Sequence, residues 1–385
     1  MFDANSSAWT GRFPRNEIIS VLDVNRRFNL AESTGQDLTV GEIVDLAGGF
    51  KAVSGLKMGY GSPAGLTRLR NVVATISGVS PEEVVITQGT ALGLFLLAFE
   101  LCRPGDEVVI VSPCFPPSKD TLLSCGAGLR VFQLSFDKGY RLRAEDIADQ
   151  LNERTKLVSI ASPQNPSGVR TSRDEIEALL AIMRERAPNA FLFVDETYRD
   201  ATYGSELPPS SFAALDDRVI TGASVSKAHG APGLRTGWLT VRDPDLRERL
   251  VVAKLNTVIS GSPLDETLAA AILENRAAIL APRRRLLTDG VGQVAAWVQK
   301  ENRRISWVRP DGGALCCLRL NPSLFGAEQV QRFWNVLPAA DLQLGDGAWF
   351  GETSAIFRLG FGYLPPGELP LALNVLSGAL DQALA

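Results

Sequence analysis

Histidine is almost absent: in 385 residues there is one, His229. Clusters of histidine ligands around a metal are thereby excluded, and a Ser-His-Asp triad would hang on a residue with another obvious context. The five cysteines, Cys102, Cys114, Cys125, Cys316 and Cys317, form no C-x-x-C pair and are odd in number. Neither a disulfide framework nor a structural zinc site is expected from them, and reduced thiols are the default. No run reaches the ~18 apolar residues that a membrane-spanning helix needs. The opening stretch, MFDANSSAWTGRFPRNEIIS, has neither the basic segment nor the apolar run of a signal peptide, so the expected location is the cytoplasm. Basic residues number 39 against 43 acidic ones and are scattered, for a formal net charge of −4. A nucleic-acid or membrane partner is not expected on that balance, and a small molecule is.

What is present has the length and pattern of a large α/β protein. The chain exceeds the roughly 250–300 residues at which one hydrophobic core stops growing, so a large domain and a smaller companion are expected. Between residues 84 and 241, the runs VVIT, EVVIVS, LRVFQL, KLVSIAS, AFLFVDE, RVITGAS and GWLTV alternate with helical stretches. That order predicts a mostly parallel sheet with helices on both faces. Ile176, Leu179, Leu180 and Met183 lie at helical spacing and predict an amphipathic helix over 173–186. After Pro263 a long helical stretch leads towards a C-terminal α+β domain, with a kink expected at Pro282. The segment around FNLAESTGQDL reads as an arm and a covering loop. The expected division is 1–47 as arm and part of the small domain, 48–282 as the large domain, and 283–385 as the C-terminal small domain.

Ligands of open α/β sheets bind beyond the carboxyl ends of the strands, so polar residues just after the strands are the first candidates. Ser224-Val225-Ser226-Lys227-Ala228-His229-Gly230-Ala231-Pro232-Gly233-Leu234-Arg235 follows the strand RVITGA. Lys227 stands there among small residues, open to close approach. Asp195, Glu196, Thr197 and Tyr198 follow AFLFV, and Asn165-Pro166-Ser167-Gly168 follows KLVSIAS. Gln88-Gly89-Thr90-Ala91 joins a strand to a helix start, where backbone N–H groups favour an anion. Alone, each has a plain structural reading: a loop lysine, a helix cap, two tight turns.

Together and in this order, these segments resemble the pyridoxal-phosphate (PLP) enzymes of the class I/II aminotransferase family, of fold type I. The resemblance runs from about residue 30 to residue 363. It implies an α/β chain with a mostly parallel mixed sheet in a large domain and a small α+β domain. It further implies that Lys227 carries PLP as a Schiff base, that Ser224, Arg235, Gly89, Thr90 and Ala91 hold the phosphate, and that Phe115 of Ser112-Pro113-Cys114-Phe115-Pro116 stacks on the ring. Asp195 would pair with the ring nitrogen and keep it charged, so that the ring accepts electrons from Cα. Tyr198 and Asn165 would hydrogen-bond the phenolic oxygen. Thr236 departs from the family pattern, which has an aliphatic residue there.

Tyr60, with Gly61, Gly65, Leu69 and Arg70, resembles the segment that reaches the neighbouring subunit's phosphate, which implies a homodimer with shared sites. Arg358, inside the apolar run Ile356-Phe357-Arg358-Leu359-Gly360-Phe361, matches the arginine that binds the substrate's α-carboxylate, a task suited to its paired donors. Glu32, in the covering segment, could meet a cationic side chain. His229 is expected to fill space in the loop, with the lysine amine as the proton carrier, and Cys316 and Cys317 to point to opposite faces of a strand.

Transamination between an amino acid and a 2-oxo acid is the activity this resemblance implies first. GAPGLR and Phe28-Asn29-Leu30-Ala31-Glu32-Ser33 are also similar to members that act as lyases or cyclases on arginine-like or other specialised amino acids. A third reading is a non-catalytic PLP-binding regulator; the intact Lys227 and the absence of a helix-turn-helix region oppose it.

Overall fold

All seven apolar runs become strands of one sheet in the computed structural model, which describes residues 10–18 and 24–385. The remainder of the expected N-terminal arm, residues 1–9 and 19–23, lies outside the described residues. β1 (Phe28–Asn29) comes first in the chain, and the sheet is formed by β2 (Val84–Thr87), β3 (Glu107–Ser112), β4 (Gly128–Gln133), β5 (Thr155–Ala161), β6 (Phe191–Asp195), β7 (Val219–Ser224) and β8 (Gly237–Thr240). Their spatial order is β2-β8-β7-β6-β5-β3-β4. Strands β3 to β7 are mutually parallel, and β8 runs antiparallel to both its neighbours.

Burial explains the composition of these strands. Every residue of β3 and β7 is buried, as expected where helices cover both faces and the runs are continuously apolar. β4, at the sheet edge, keeps Arg130 and has no fully buried position. On one face lies the helix Gly89–Leu101, whose Leu94 and Leu97 join Val108, Phe193 and Leu239. On the other lies Arg173–Arg186, over the residues expected. Its Ser172 accepts from the Glu175 N–H, Asp174 and Glu175 oppose the positive end of the dipole, and Pro188 follows its last turn. Leu179 and Met183 are fully buried there, so truncating either to Ala costs about 2–5 kcal/mol.

The C-terminal part adds β9 (Ile305–Val308), β10 (Leu315–Leu320), β11 (Leu342–Gln343), β12 (Gly345–Asp346) and β13 (Ile356–Gly360). Four of them form an antiparallel sheet in the order β12-β13-β10-β9, while β1 pairs in parallel with β11. Cys316 belongs to the core formed with Val294, Trp297 and Leu376, whereas Cys317 packs with Val308, Ile356 and the large sheet's Val158. The alternation expected of adjacent strand residues thus puts the two thiols in different cores.

The helical stretch after Pro263 is two helices, Pro263–Glu274 and Arg276–Lys300, with a break at Asn275 that the sequence reading did not foresee. Asn275 turns its side-chain amide onto the Ala271 carbonyl at 2.8 Å, which competes with helix propagation. Pro282 lies inside the second helix, which continues through it.

Candidate active site

Because β3, β5, β6 and β7 are parallel, Ser112, Ala161, Asp195 and Ser224 end at one edge of the sheet. A cavity of about 400 Å³ opens there, bordered by Thr90, Phe115, Asn165, Asp195, Lys227 and Arg235. Gly89, Ala91, Tyr198 and Ser224 also line it. The residues singled out after the strands thus meet in one space.

Lys227 is half-buried in the loop between β7 and β8. Asp195 accepts hydrogen bonds from the Thr197 N–H at 2.9 Å and the Thr197 hydroxyl at 2.5 Å. Burial pushes its carboxyl above the ordinary carboxylate value, with the Thr197 bonds and the Lys227 charge opposing. A carboxylate so desolvated gains most from a cation placed against it. Gly89 starts its helix at φ +80°, and a Cβ there would lie 2.8 Å from Arg235 Nη2. A glycine at residue 89 is therefore required twice, by its backbone conformation and by the guanidinium packed on it. Arg235, at φ 47°, donates to the Pro232 carbonyl at 2.8 Å. Ser224 Oγ accepts from the Ser226 N–H. Cys114 also borders the cavity, where burial pushes its thiol up to about 12, so it stays protonated at neutral pH.

Arg358 sits on β13 between β12 and β10, so its strand is interior to the small sheet. The side chain is 3% exposed, stacks 4.6 Å over Phe350, and donates to Asn165 Oδ1 at 2.9 Å and to the Ala31 carbonyl at 2.5 Å. Burial lowers its pKa, opposed chiefly by Tyr198 and Glu32. Nε has no partner among the described residues.

Two expected residues are not drawn into this cavity. Tyr60 is 86% exposed, on a loop whose Gly61 N–H donates to Ser260 Oγ. Glu32 is half-buried, borders neither this cavity nor the next, and has its backbone carbonyl pressed against Gly360, where a Cβ would meet it at 1.7 Å. The residue beside it does reach the site: Ser33 Oγ lies 2.8 Å from Tyr198 Oη and 3.5 Å from Lys227 Nζ. Its position in the flagged covering segment was the only signal for it. A second cavity, of about 560 Å³, begins at Ser33, Tyr198 and Lys227 and extends past Gln36, Glu42 and Arg283.

Sequence reading also missed a buried ion network behind Lys227. Asp200 accepts two bonds from Arg276, at 2.6 and 2.7 Å, and lies 3.3 Å from His229 Nε2. Arg199 links it to Glu196. Burial alone would raise the Asp200 pKa, but His229, Arg276 and Arg199 outweigh it and hold the carboxyl well below its ordinary value. His229 is 2% exposed and borders neither cavity, in keeping with a space-filling place in the loop.

A doubly wound sheet with a lysine, a carboxylate and an anion cradle converging beyond its strand ends defines a class of cofactor-dependent α/β enzymes. The chain belongs to the aminotransferase class I and II family, whose model matches residues 35–376. It is 30% identical to capreomycidine synthase of Streptomyces vinaceus over 323 residues, 83% of this chain and 80% of that one. It is 32% identical to arginine–pyruvate transaminase of Pseudomonas aeruginosa over 162 residues, 42% of this chain and 41% of that one. A PLP-dependent aminotransferase of Streptococcus suis superposes with a TM-score of 0.86 at 25% identity, covering 96% of this chain and 98% of that one. The protein is thus a PLP-dependent enzyme of fold type I. The fit is visible in the chain itself: the Gly89–Arg235 cradle suits a phosphate, and the half-buried Asp195, whose carboxyl is pushed up by desolvation, suits a protonated ring nitrogen.

Proposed function

We propose that the protein is an aminotransferase that moves an amino group between an amino acid and a 2-oxo acid. The observation carrying this reading is the convergence of Lys227, Asp195, Asn165 and the Gly89–Arg235 cradle on one cavity of about 400 Å³. When bound, PLP supplies the electron sink for the bond broken at Cα. Lys227 attaches it. Ser224, Arg235 and the backbone of Gly89, Thr90 and Ala91 hold its phosphate, while Phe115 packs against its ring. Asp195 pairs with the ring nitrogen, and Tyr198 and Asn165 bond its phenolic oxygen. Arg358 binds the substrate's α-carboxylate; Asn165 and Ala31 engage two of its N–H groups, leaving others for that task. Lys227 Nζ, once freed by the substrate, takes and returns the Cα proton.

The working unit in this reading is a homodimer in which Tyr60 reaches the partner's phosphate. Its support is the 86% exposure of Tyr60 beside the exposed Met58 and Ile259. The division at 47 and 282 belongs to this reading, and β1 pairing with β11 supports its N-terminal part by tying that segment to the C-terminal part. A cytoplasmic location is supported by five cysteines that are all free.

A lyase or cyclase acting on a cationic amino acid is the second reading. It is favoured by the 83% span of the capreomycidine synthase match and by Glu32 and Asp37, whose charges are felt at Arg358 and Lys227. Incubation of the holoenzyme with single amino acids and no 2-oxo acid separates the two. Stoichiometric conversion to pyridoxamine phosphate is expected; repeated turnover would overturn transamination. Absence of bound cofactor under saturating PLP would overturn both.

A further inference from the structure

We propose that Ser33 is a catalytic residue of this chain, its hydroxyl holding the Lys227 amine and joining it to the Tyr198 phenol while a proton is moved at the substrate. This inference rests on the reading of Lys227 given above. Ser33 is 3% exposed, and its Oγ accepts the hydrogen bond that Lys227 Nζ makes. The 3.5 Å separation is long, as catalytic contacts often are before substrate arrives. The 2.8 Å contact with Tyr198 Oη is already of full strength.

What makes the placement more than a loop accident is the anchoring of the surrounding strap, residues 29–38. Leu30 donates to Gln343 and accepts from the Gly360 N–H at 2.7 Å. The Asn29 side chain accepts from the Ala31 and Glu32 N–H groups at 3.0 and 3.2 Å. Arg358 holds the Ala31 carbonyl, Arg283 the Gln36 carbonyl at 2.6 Å, and Leu38 donates to Gly230 at 2.7 Å. These ties reach both β13 and the Lys227 loop, so the strap is fixed on either side of Ser33. Its hydroxyl then falls where the two cavities meet, since Tyr198 and Lys227 border both.

A hydroxyl accepts and donates at once. Nζ–H donates to Ser33 Oγ, and Oγ–H donates to Tyr198 Oη. When the amine takes a proton, the resulting ammonium has an acceptor in place, and a hydrogen bond to a charged nitrogen is the stronger kind. No water is needed to hold that proton between its removal and its return.

Wild type, Ser33→Ala and Ser33→Thr are compared as holoenzymes. Borohydride reduction and peptide mapping first locate the cofactor in wild type; an unlabelled Lys227 would overturn the functional reading and this one with it. Given labelling, Ser33→Ala is expected to keep its label and its melting temperature. Its visible cofactor band should titrate at lower pH than in wild type, because the charged nitrogen has lost an acceptor. Its kcat should fall about five- to tenfold with KM for the amino acid little changed. Ser33→Thr, which keeps the hydroxyl, should stay near wild type on all these measures. A band midpoint and a kcat equal to wild type in Ser33→Ala would overturn the inference. So would losses confined to melting temperature or KM, with Ser33→Thr no better than Ser33→Ala.

Discussion

The floor and the roof of the site are built on different principles. The floor consists of residues at or just beyond the ends of parallel strands: Asp195 closes β6, Asn165 follows β5, and Lys227 follows β7. Each is positioned by the strand immediately before it. The roof consists of the strap at 29–38 and Arg358 on β13, held to each other and to the Lys227 loop by bonds between residues far apart in the chain, such as Arg358 to Ala31. A floor residue can be placed from its local motif, whereas a roof residue depends on the whole chain being assembled.

Breaking each part separates these roles. Lys227→Ala should have the largest effect, lowering turnover on the order of a thousandfold or more while leaving the fold intact, since the residue is half-buried in a loop; steady-state rates and far-ultraviolet circular dichroism check this. Next is the ion network behind the floor. Asp200→Asn removes the anion that two arginines share and should lose about 3–5 kcal/mol, read from denaturant midpoints. Because the folded Asp200 has a depressed pKa, its stabilisation is complete above the unfolded carboxylate value of about 4 and is lost as pH falls through the folded one. The gap between wild type and Asp200→Asn should therefore be wide at neutral pH and close in acid.

The roof is broken at its narrowest point. Gly360→Ala drives a Cβ into the Glu32 carbonyl, and displacing the strap should cost about 1–3 kcal/mol. Its sharper mark is kinetic: KM for the amino acid should rise as Arg358 loses register and kcat should fall as Ser33 does, while the visible cofactor band persists. Glu32→Gln should do least. For a neutral substrate, a change below about threefold in kcat/KM is expected; a selective loss with cationic amino acids would move the assignment towards the second reading.

Legibility followed the same division. The seven strands and the helix at 173–186 could be read because buried parallel strands are continuously apolar and the helix keeps its apolar spacing. Lys227, Asp195 and Asn165 could be read because each sits beside its own strand. Glu32 was singled out where Ser33 makes the contact, since side-chain direction in an irregular strap is set by remote ties such as Gly360 to Leu30. A kink was expected at Pro282 from residue type, but the helix break at Asn275, where the side chain competes for the ladder, went unread. Asp200 and His229 gave no pattern at all, because their meeting joins two separate loops.

The reversed strand β8 has a consequence for how Arg235 comes to lie against Gly89. Thr87 and Ser224 both pair with Gly237, so all three stand at the same level of the sheet. The connection from β7 to β8 is therefore a return that stays on one edge, and it delivers Lys227 near its start and Arg235 near its end to the same side. A further parallel strand would have required a crossover, delivering the chain to the opposite edge, some strand-length away from Gly89. By turning back once, the chain brings a guanidinium from residue 235 against a helix that began at residue 89, closing a grip whose two jaws are separated by most of the sheet's sequence.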